Sequence, residues 1–150
     1  MDYCEWVEAQ RGRTPPITTW EGIAAEQVSD PNVSTHKSTV RKTWVGQNVV
    51  LTRVIVQGKS IGKAHSHESE QVSMILRGGV RVFMENGNYV ATAGSIVHIP
   101  AKSVHMFESL DEETEILDVY DLRDSAKELG KQYHPNVSFD VNNETPTSSS

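Results

Sequence analysis

From residue 47 to residue 122 the chain is written in short β-branched runs cut by turn residues, and this pattern most restricts what it can fold into. Residues 47–57 are rich in Val, Ile and Thr and are bounded by Gly46 and Gly58. Residues 71–77 and 80–85 flank Gly78-Gly79, a two-residue hairpin signal. Asn86-Gly87 turns into 88–92, and 95–100, 103–109 and 114–122 continue the series. Only residues 125–133 read as helix, and Gly130 weakens them. Many short strands with little helix predict an all-β chain, a sandwich or a small barrel, and the absence of an internal repeat favours one barrel over two halves.

A length of 150 residues leaves room for one domain. Residues 1–16, ending in Pro15-Pro16, read as an extended N-terminal arm, residues 17–141 as the domain, and the polar stretch 142–150 as a disordered tail. No apolar run approaches the roughly 20 residues of a membrane span, and Met1 to Trp6 lack the features of a secretory signal. A cytoplasmic protein without a membrane partner is expected. Fourteen Lys plus Arg against twenty Asp plus Glu give a net charge of −6. This balance argues against a nucleic-acid partner, which needs a basic footprint. The single cysteine, Cys4, can build neither an intrachain disulfide nor a thiolate cage.

Six histidines carry more information. His65-Ser66-His67 places two imidazoles at i and i+2, a spacing that on a strand sends both to one face. Gln71 lies four residues beyond His67, where continued alternation returns it to that side, and His105 comes from a later strand. Three imidazoles and an amide oxygen would leave open positions on a divalent ion. Carboxylate is the commoner fourth ligand, and a bulge would let Glu70 or Glu68 take that place. His36, His98 and His134 lie off this pattern and are expected to be bystanders at the surface.

At these residues the sequence resembles the cupin superfamily. His65, His67 and Gly78 hold the places of its first motif, with Gln71 where a Glu usually stands and Lys59 where a Gly is expected. Gly94, Pro100 and His105 hold the second, with Lys102 replacing a Gly and Ser109 an Asn. The resemblance covers about residues 40–123. It implies a cupin jelly-roll β-barrel, or double-stranded β-helix, with a short C-terminal helix and an N-terminal arm. The run from His65 to Gln71 looks like that of the small cupins linked to pectin degradation and uronate linearisation, in which the Gln ligates metal beside three His. That likeness makes His65, His67, Gln71 and His105 the ligands of one divalent transition metal ion (Zn, Fe, Ni, Mn or Co). Leu117-Asp118-Val119-Tyr120 and Arg123 match the family's barrel end, which implies Asp118 as proton-transfer carboxylate, Tyr120 as a pocket wall and Arg123 as a clamp for an anionic substrate.

Asp118 and Tyr120 share strand parity with Ile116 and Leu122, so this face mixes apolar walls with a proton acceptor. Phe107 shares parity with His105 and is expected to wall the pocket, with Phe83, Ile75 and Ser73 as weaker candidates. Trp6, Trp20 and Trp44 precede the first motif and suit a homodimer interface, or else cap their own barrel. The expected function is that of a metal-dependent isomerase, cyclase or lyase on a small oxygenated substrate. The alternatives are a dioxygenase using ferrous iron and oxygen, and a non-catalytic small-molecule-binding cupin.

Overall fold

The computed structural model describes residues 2–28 and 39–139. Its strands form two antiparallel sheets that face each other as a jelly roll. One sheet runs in the order β1 (Glu26–Val28), β2 (Thr39–Val45), β3 (Val49–Val56), β10 (Thr114–Asp121), β5 (Gln71–Arg77), β8 (Ile96–Ile99). The other runs β11 (Gln132–Tyr133), β4 (His65–Ser66), β9 (His105–Ser109), β6 (Gly79–Met84), β7 (Gly87–Thr92). The β-branched runs therefore become strands where expected, and 71–77 does so with identical bounds. Asn86 lies in the two-residue loop joining β6 to β7, whose register pairs Met84 with Gly87.

Gly78-Gly79 does not make a hairpin. β5 pairs with β8 and β10, whereas β6 pairs with β7 and β9, so this dipeptide carries the chain from one sheet to the other. A local turn signal says that the chain changes direction, not which sheet it enters next. Gly78 has φ +76°, and a Cβ there would stand 2.5 Å from Thr114 Oγ1 and 2.7 Å from the Glu113 carbonyl oxygen. Thr114 is fully buried and its hydroxyl accepts from the Gly79 N–H at 3.2 Å, which brings the crossing close to β10.

The N-terminal arm is a correction. Tyr3–Gln10 form a helix, α1. Asp2 accepts from the Glu5 N–H at 2.8 Å and Glu5 accepts from the Asp2 N–H at 3.2 Å, a reciprocal cap that satisfies two helix-end donors. Val7 is buried among Val45, Val50, Leu122, Ala126 and Leu129, and burial of one such side chain stabilises by about 1.5 kcal/mol or more. Trp6 packs on this cluster and Trp20 lies under the Arg53 guanidinium, so both have partners within their own chain. The expected helix at 125–133 is a correction too. Only a 3-10 turn, Ala126–Leu129, forms, capped by Ser125. It stops at Gly130, and the chain then extends to pair Gln132 with Ser66. His36 and the tail 142–150 lie outside the described residues. Among the described residues no helix is long and apolar enough to cross a membrane.

β2 is a strand that the pattern of apolar residues does not announce, because three of its four inward positions, Thr39, Arg41 and Thr43, are polar and only Val45 is apolar. The three polar residues pair with Val56, Val54 and Thr52 of β3. Strand β10 explains this polarity. Along its inward face Ile116 joins a core cluster with Ile75, Val80, Val82 and Ala91, and Leu122, just past the strand, joins the cluster that holds Val7. Asp118 and Tyr120 lie between these apolar ends, where the interior opens into a cavity. Gly78→Ala should cost about 2 kcal/mol or more, from left-handed strain and the steric conflict with Thr114. Chemical denaturation should show the loss, and an unchanged midpoint would mean that the crossing is not fixed at this residue.

Candidate metal centre

The two sheets bring the predicted residues together from opposite walls. His65 lies opposite His105 in the β4–β9 register, with ring centroids 4.3 Å apart. His67 follows just beyond β4, its ring 5.1 Å from that of His105 and 6.0 Å from that of His65. A ring nitrogen of each lies within 4.8 Å of the other two.

The tautomers follow from the backbone. His65 Nδ1 faces the Lys63 carbonyl at 2.8 Å, His67 Nδ1 the Ser69 carbonyl at 2.8 Å, and His105 Nδ1 the Ser103 carbonyl at 2.9 Å. A carbonyl oxygen only accepts, so each Nδ1 carries the proton and each Nε2 a lone pair. Burial holds His67 below the ordinary imidazole pKa. Burial, helped by the neighbouring His65, lowers His105 to about 3. His67 and His105 therefore offer neutral donors at neutral pH.

Gln71 opens β5 on the facing sheet and is buried. Its Nε2 donates to Ser73 Oγ at 2.9 Å, and Ser73 Oγ donates in turn to Asp118 Oδ1 at 2.5 Å. This relay fixes the amide so that Gln71 Oε1 faces His67 Nε2 at 3.0 Å. Two lone pairs thus confront each other at hydrogen-bond distance, and His105 Nε2 is buried with no hydrogen-bond partner among the described residues. A cation converts that repulsion into attraction, and imidazole and amide donors suit a divalent transition ion. The residues present fit such a group. Glu70 and Glu68 point elsewhere: Glu70 meets His98 at 2.6 Å and Glu68 meets Lys102 at 3.6 Å, both pairs exposed.

Asp118 is buried, and burial raises its pKa above the ordinary carboxylate value against the lowering effect of the Ser73 hydrogen bond. Burial, together with Asp118, pushes the Tyr120 hydroxyl well above its usual range. The Tyr120 ring stands edge-on to His67 at 5.6 Å and its hydroxyl is 3.5 Å from Asp118 Oδ2. His67, Asp118 and Tyr120 line a cavity of about 460 Å³, and a second of about 140 Å³ adjoins it on the His65 and His105 side. Phe107 walls the smaller one as expected, whereas Phe83 is buried beside Phe139 and Ile75 belongs to a core cluster with Val80 and Ile116.

Arg123 is not brought to the cluster. Its guanidinium is 74% exposed, pairs with Asp121 at 2.8 Å and lines neither cavity. His98 is an exposed bystander, but His134 is half-buried and bonds Ser66 Oγ at 2.8 Å, behind the strand that carries His65. Arg41, Thr39, Thr52 and Lys131 line the larger cavity and went unnoticed in the sequence. The alternation of polar residues along β2 was their available signal; Lys131 had none, since its segment read as helix.

Residues 52–120 match the family model of the cupin domain, and the chain has the cupin fold. No curated protein matches the chain in sequence. Among solved structures, KdgF from a Halomonas species is similar at 18% identity and a TM-score of 0.62, over 73% of this chain and 96% of that one. The polyketide cyclase RemF from Streptomyces resistomycificus is similar at 17% identity and a TM-score of 0.63, over 80% and 85%. A cupin-2 domain from Rhodospirillum rubrum, Rru_A2000, is similar at 16% identity and a TM-score of 0.65, over 82% of both chains.

His67→Ala should remove metal from the purified protein, read as ions per chain by elemental analysis. Gln71→Ala should retain the ion but release it to a chelator at about tenfold lower competitor concentration. A wild-type protein that takes up no divalent ion when incubated with one would overturn the site.

Proposed function

We propose that this chain is a metal-dependent enzyme of the isomerase, cyclase or lyase type, acting in the cytoplasm on a small molecule with carbonyl and hydroxyl oxygens. The observation that carries the reading is the buried Asp118 carboxylate placed by Ser73 and Gln71 against three converging imidazoles. Bound by His65, His67, Gln71 and His105, a divalent ion would supply Lewis acidity toward a substrate oxygen.

The chain's own residues account for proton movement. A carboxylate in water is a weak base; burial raises the basicity of Asp118 and so suits it to accept a proton from carbon next to a carbonyl. Ser73 holds one carboxylate oxygen, which leaves Oδ2, on the Tyr120 side, as the atom that takes the proton. Tyr120 keeps its own proton because its pKa is raised, and it serves as a wall that shields the carboxylate from water. Returning the proton to a different atom gives isomerisation, and loss of a neighbouring leaving group gives elimination. The similarity of fold to the cyclase RemF supports this class of chemistry. A homodimer, paired through an open sheet edge such as β8 with its exposed Ile96, belongs to the same proposal.

The test is deuterium wash-in beside the carbonyl of small hydroxy ketones, followed by NMR in heavy water. Wild-type protein should catalyse the exchange, and Asp118→Asn should slow it by about 100-fold or more while keeping its metal. Equal rates in both would remove Asp118 from the chemistry. Stoichiometric oxygen uptake during turnover would replace this reading with a dioxygenase. Ligand binding without any exchange or consumption would leave a binding protein.

A further inference from the structure

The larger cavity has a second polar wall on the opposite side of β3 from β10. Arg41 projects from β2 into it and is 21% exposed. Its guanidinium lies 4.4 Å over the Tyr3 ring, which orients the plane, and its Nη2 donates to Glu26 at 2.9 Å. The Nε–H is buried with no hydrogen-bond partner among the described residues. The hydroxyls of Thr39 and Thr52, on the same wall, are also buried and unpartnered. Three unsatisfied polar groups on one stretch of cavity lining are costly unless a ligand or an ordered water completes them.

We propose that Arg41, with Thr39 and Thr52, is a subsite for the carboxylate of a monoanionic substrate. The inference rests on the proposed metal chemistry only for the role of the substrate's other end, which the cluster at His67 would take. Arginine is the side chain whose planar donors match a carboxylate, and its burial strengthens the pairing. Glu26 already occupies one donor and offsets part of the charge, so the subsite favours one negative charge over two. Lys131 lines both cavities and adds a second positive charge at their junction. Asp2 and Asp118 also line the larger cavity, so the pull on an anion is local to the Arg41 wall and its Lys131 side and not a property of the cavity as a whole. Tyr3, Val54 and Leu129 complete the wall with apolar surface, which suits a compact, partly apolar acid.

The test is calorimetric titration of the metal-characterised protein with 4-hydroxybenzoate and with its neutral isostere 4-hydroxybenzamide. Wild-type protein should bind the acid about tenfold or more tightly than the amide. Arg41→Gln should abolish that preference without changing metal content, and Arg41→Lys should restore part of it. Glu26→Gln, which releases Nη2, should tighten acid binding severalfold and leave amide binding unchanged; this gain keeps the test decisive if Arg41→Gln does not fold. No measurable binding of the acid, equal binding of acid and amide, or a preference that survives Arg41→Gln overturns the subsite. A preference that survives Arg41→Gln but disappears in His67→Ala would put the carboxylate on the metal and support only the metal reading. An Arg41-dependent preference in a protein that takes up no metal would overturn the metal reading and sustain this one.

Discussion

Three imidazoles pressed together inside a barrel are the constraint on which the surrounding structure depends. Their lone pairs face one another, and without directed support the rings would turn away toward water or toward backbone donors. Each ring is instead held by its Nδ1–H on a carbonyl two residues away, at Lys63, Ser69 or Ser103. The support continues outward. The Ser69 N–H donates to the Glu128 carbonyl at 3.0 Å, and the Ala126 N–H donates to the Glu8 side chain of α1 at 3.0 Å. The N-terminal helix therefore does more than cover the barrel: through the 126–129 turn it fixes the loop that aims His67. Such outer hydrogen bonds decide how well a ligand set is oriented before any ion arrives.

The interior of the barrel is polar in its middle, and that arrangement has a stability cost. A buried carboxylate, a buried amide and threonine hydroxyls without partners each oppose folding, since water would solvate them better. Two apolar clusters, one around Ile75 and Ile116 and one around Val7 and Leu122, offset the cost from either end. Strand β10 shows the division within a few residues: apolar at Ile116, polar at Asp118 and Tyr120, apolar again at Leu122. A chain optimised only for stability would fill positions 118 and 120 with Val or Ile. Asp118 puts a carboxylate there instead, and the burial that makes it costly also raises its basicity.

What could be read from the sequence follows the same division. The i, i+2 spacing of His65 and His67, the position of Gln71 and the downstream His105 were legible because strand alternation is rigid and a cluster needs particular residue types. Two of the four motif departures were legible as positions, not as residues: Lys59 and Lys102 stand where glycine was expected, and both adopt positive φ, 61° and 66°. The turns keep their geometry even though a side chain must bear the left-handed conformation. Elements whose evidence is tertiary stayed hidden. Gly78-Gly79 marked a reversal but not a change of sheet, and β2 looked unlike a strand because its inward face meets a cavity instead of a core. The cap formed by Asp2 and Glu5 was visible in principle, but Pro15-Pro16 drew the whole segment into a single extended reading. Arg123 fitted a family position by sequence distance, yet a side chain at the end of β10 can turn outward, and its pairing with Asp121 does so.

The two sheets contribute different chemistry to the space between them. His65 and His105 come from β4 and β9 of the five-stranded sheet and His67 lies just beyond β4, whereas Gln71, Asp118, Tyr120 and Arg41 come from the six-stranded sheet. Residues 68–70, between His67 and Gln71, carry the chain across that seam, so two neighbours in sequence place donors on opposite walls. An ion held by both would act as a cross-link between sheets as well as a source of Lewis acidity, coupling metal affinity to the packing of the barrel. A substrate of the proposed kind would likewise touch both walls, with the histidine cluster on one side and the carboxylate of Asp118 on the other. Under the proposed function, the distance between the sheets would set which substrate atoms come within reach of Asp118. Small changes in the residues that space the sheets, rather than in the ligands themselves, are how a shared fold with low sequence identity can serve substrates of different shape.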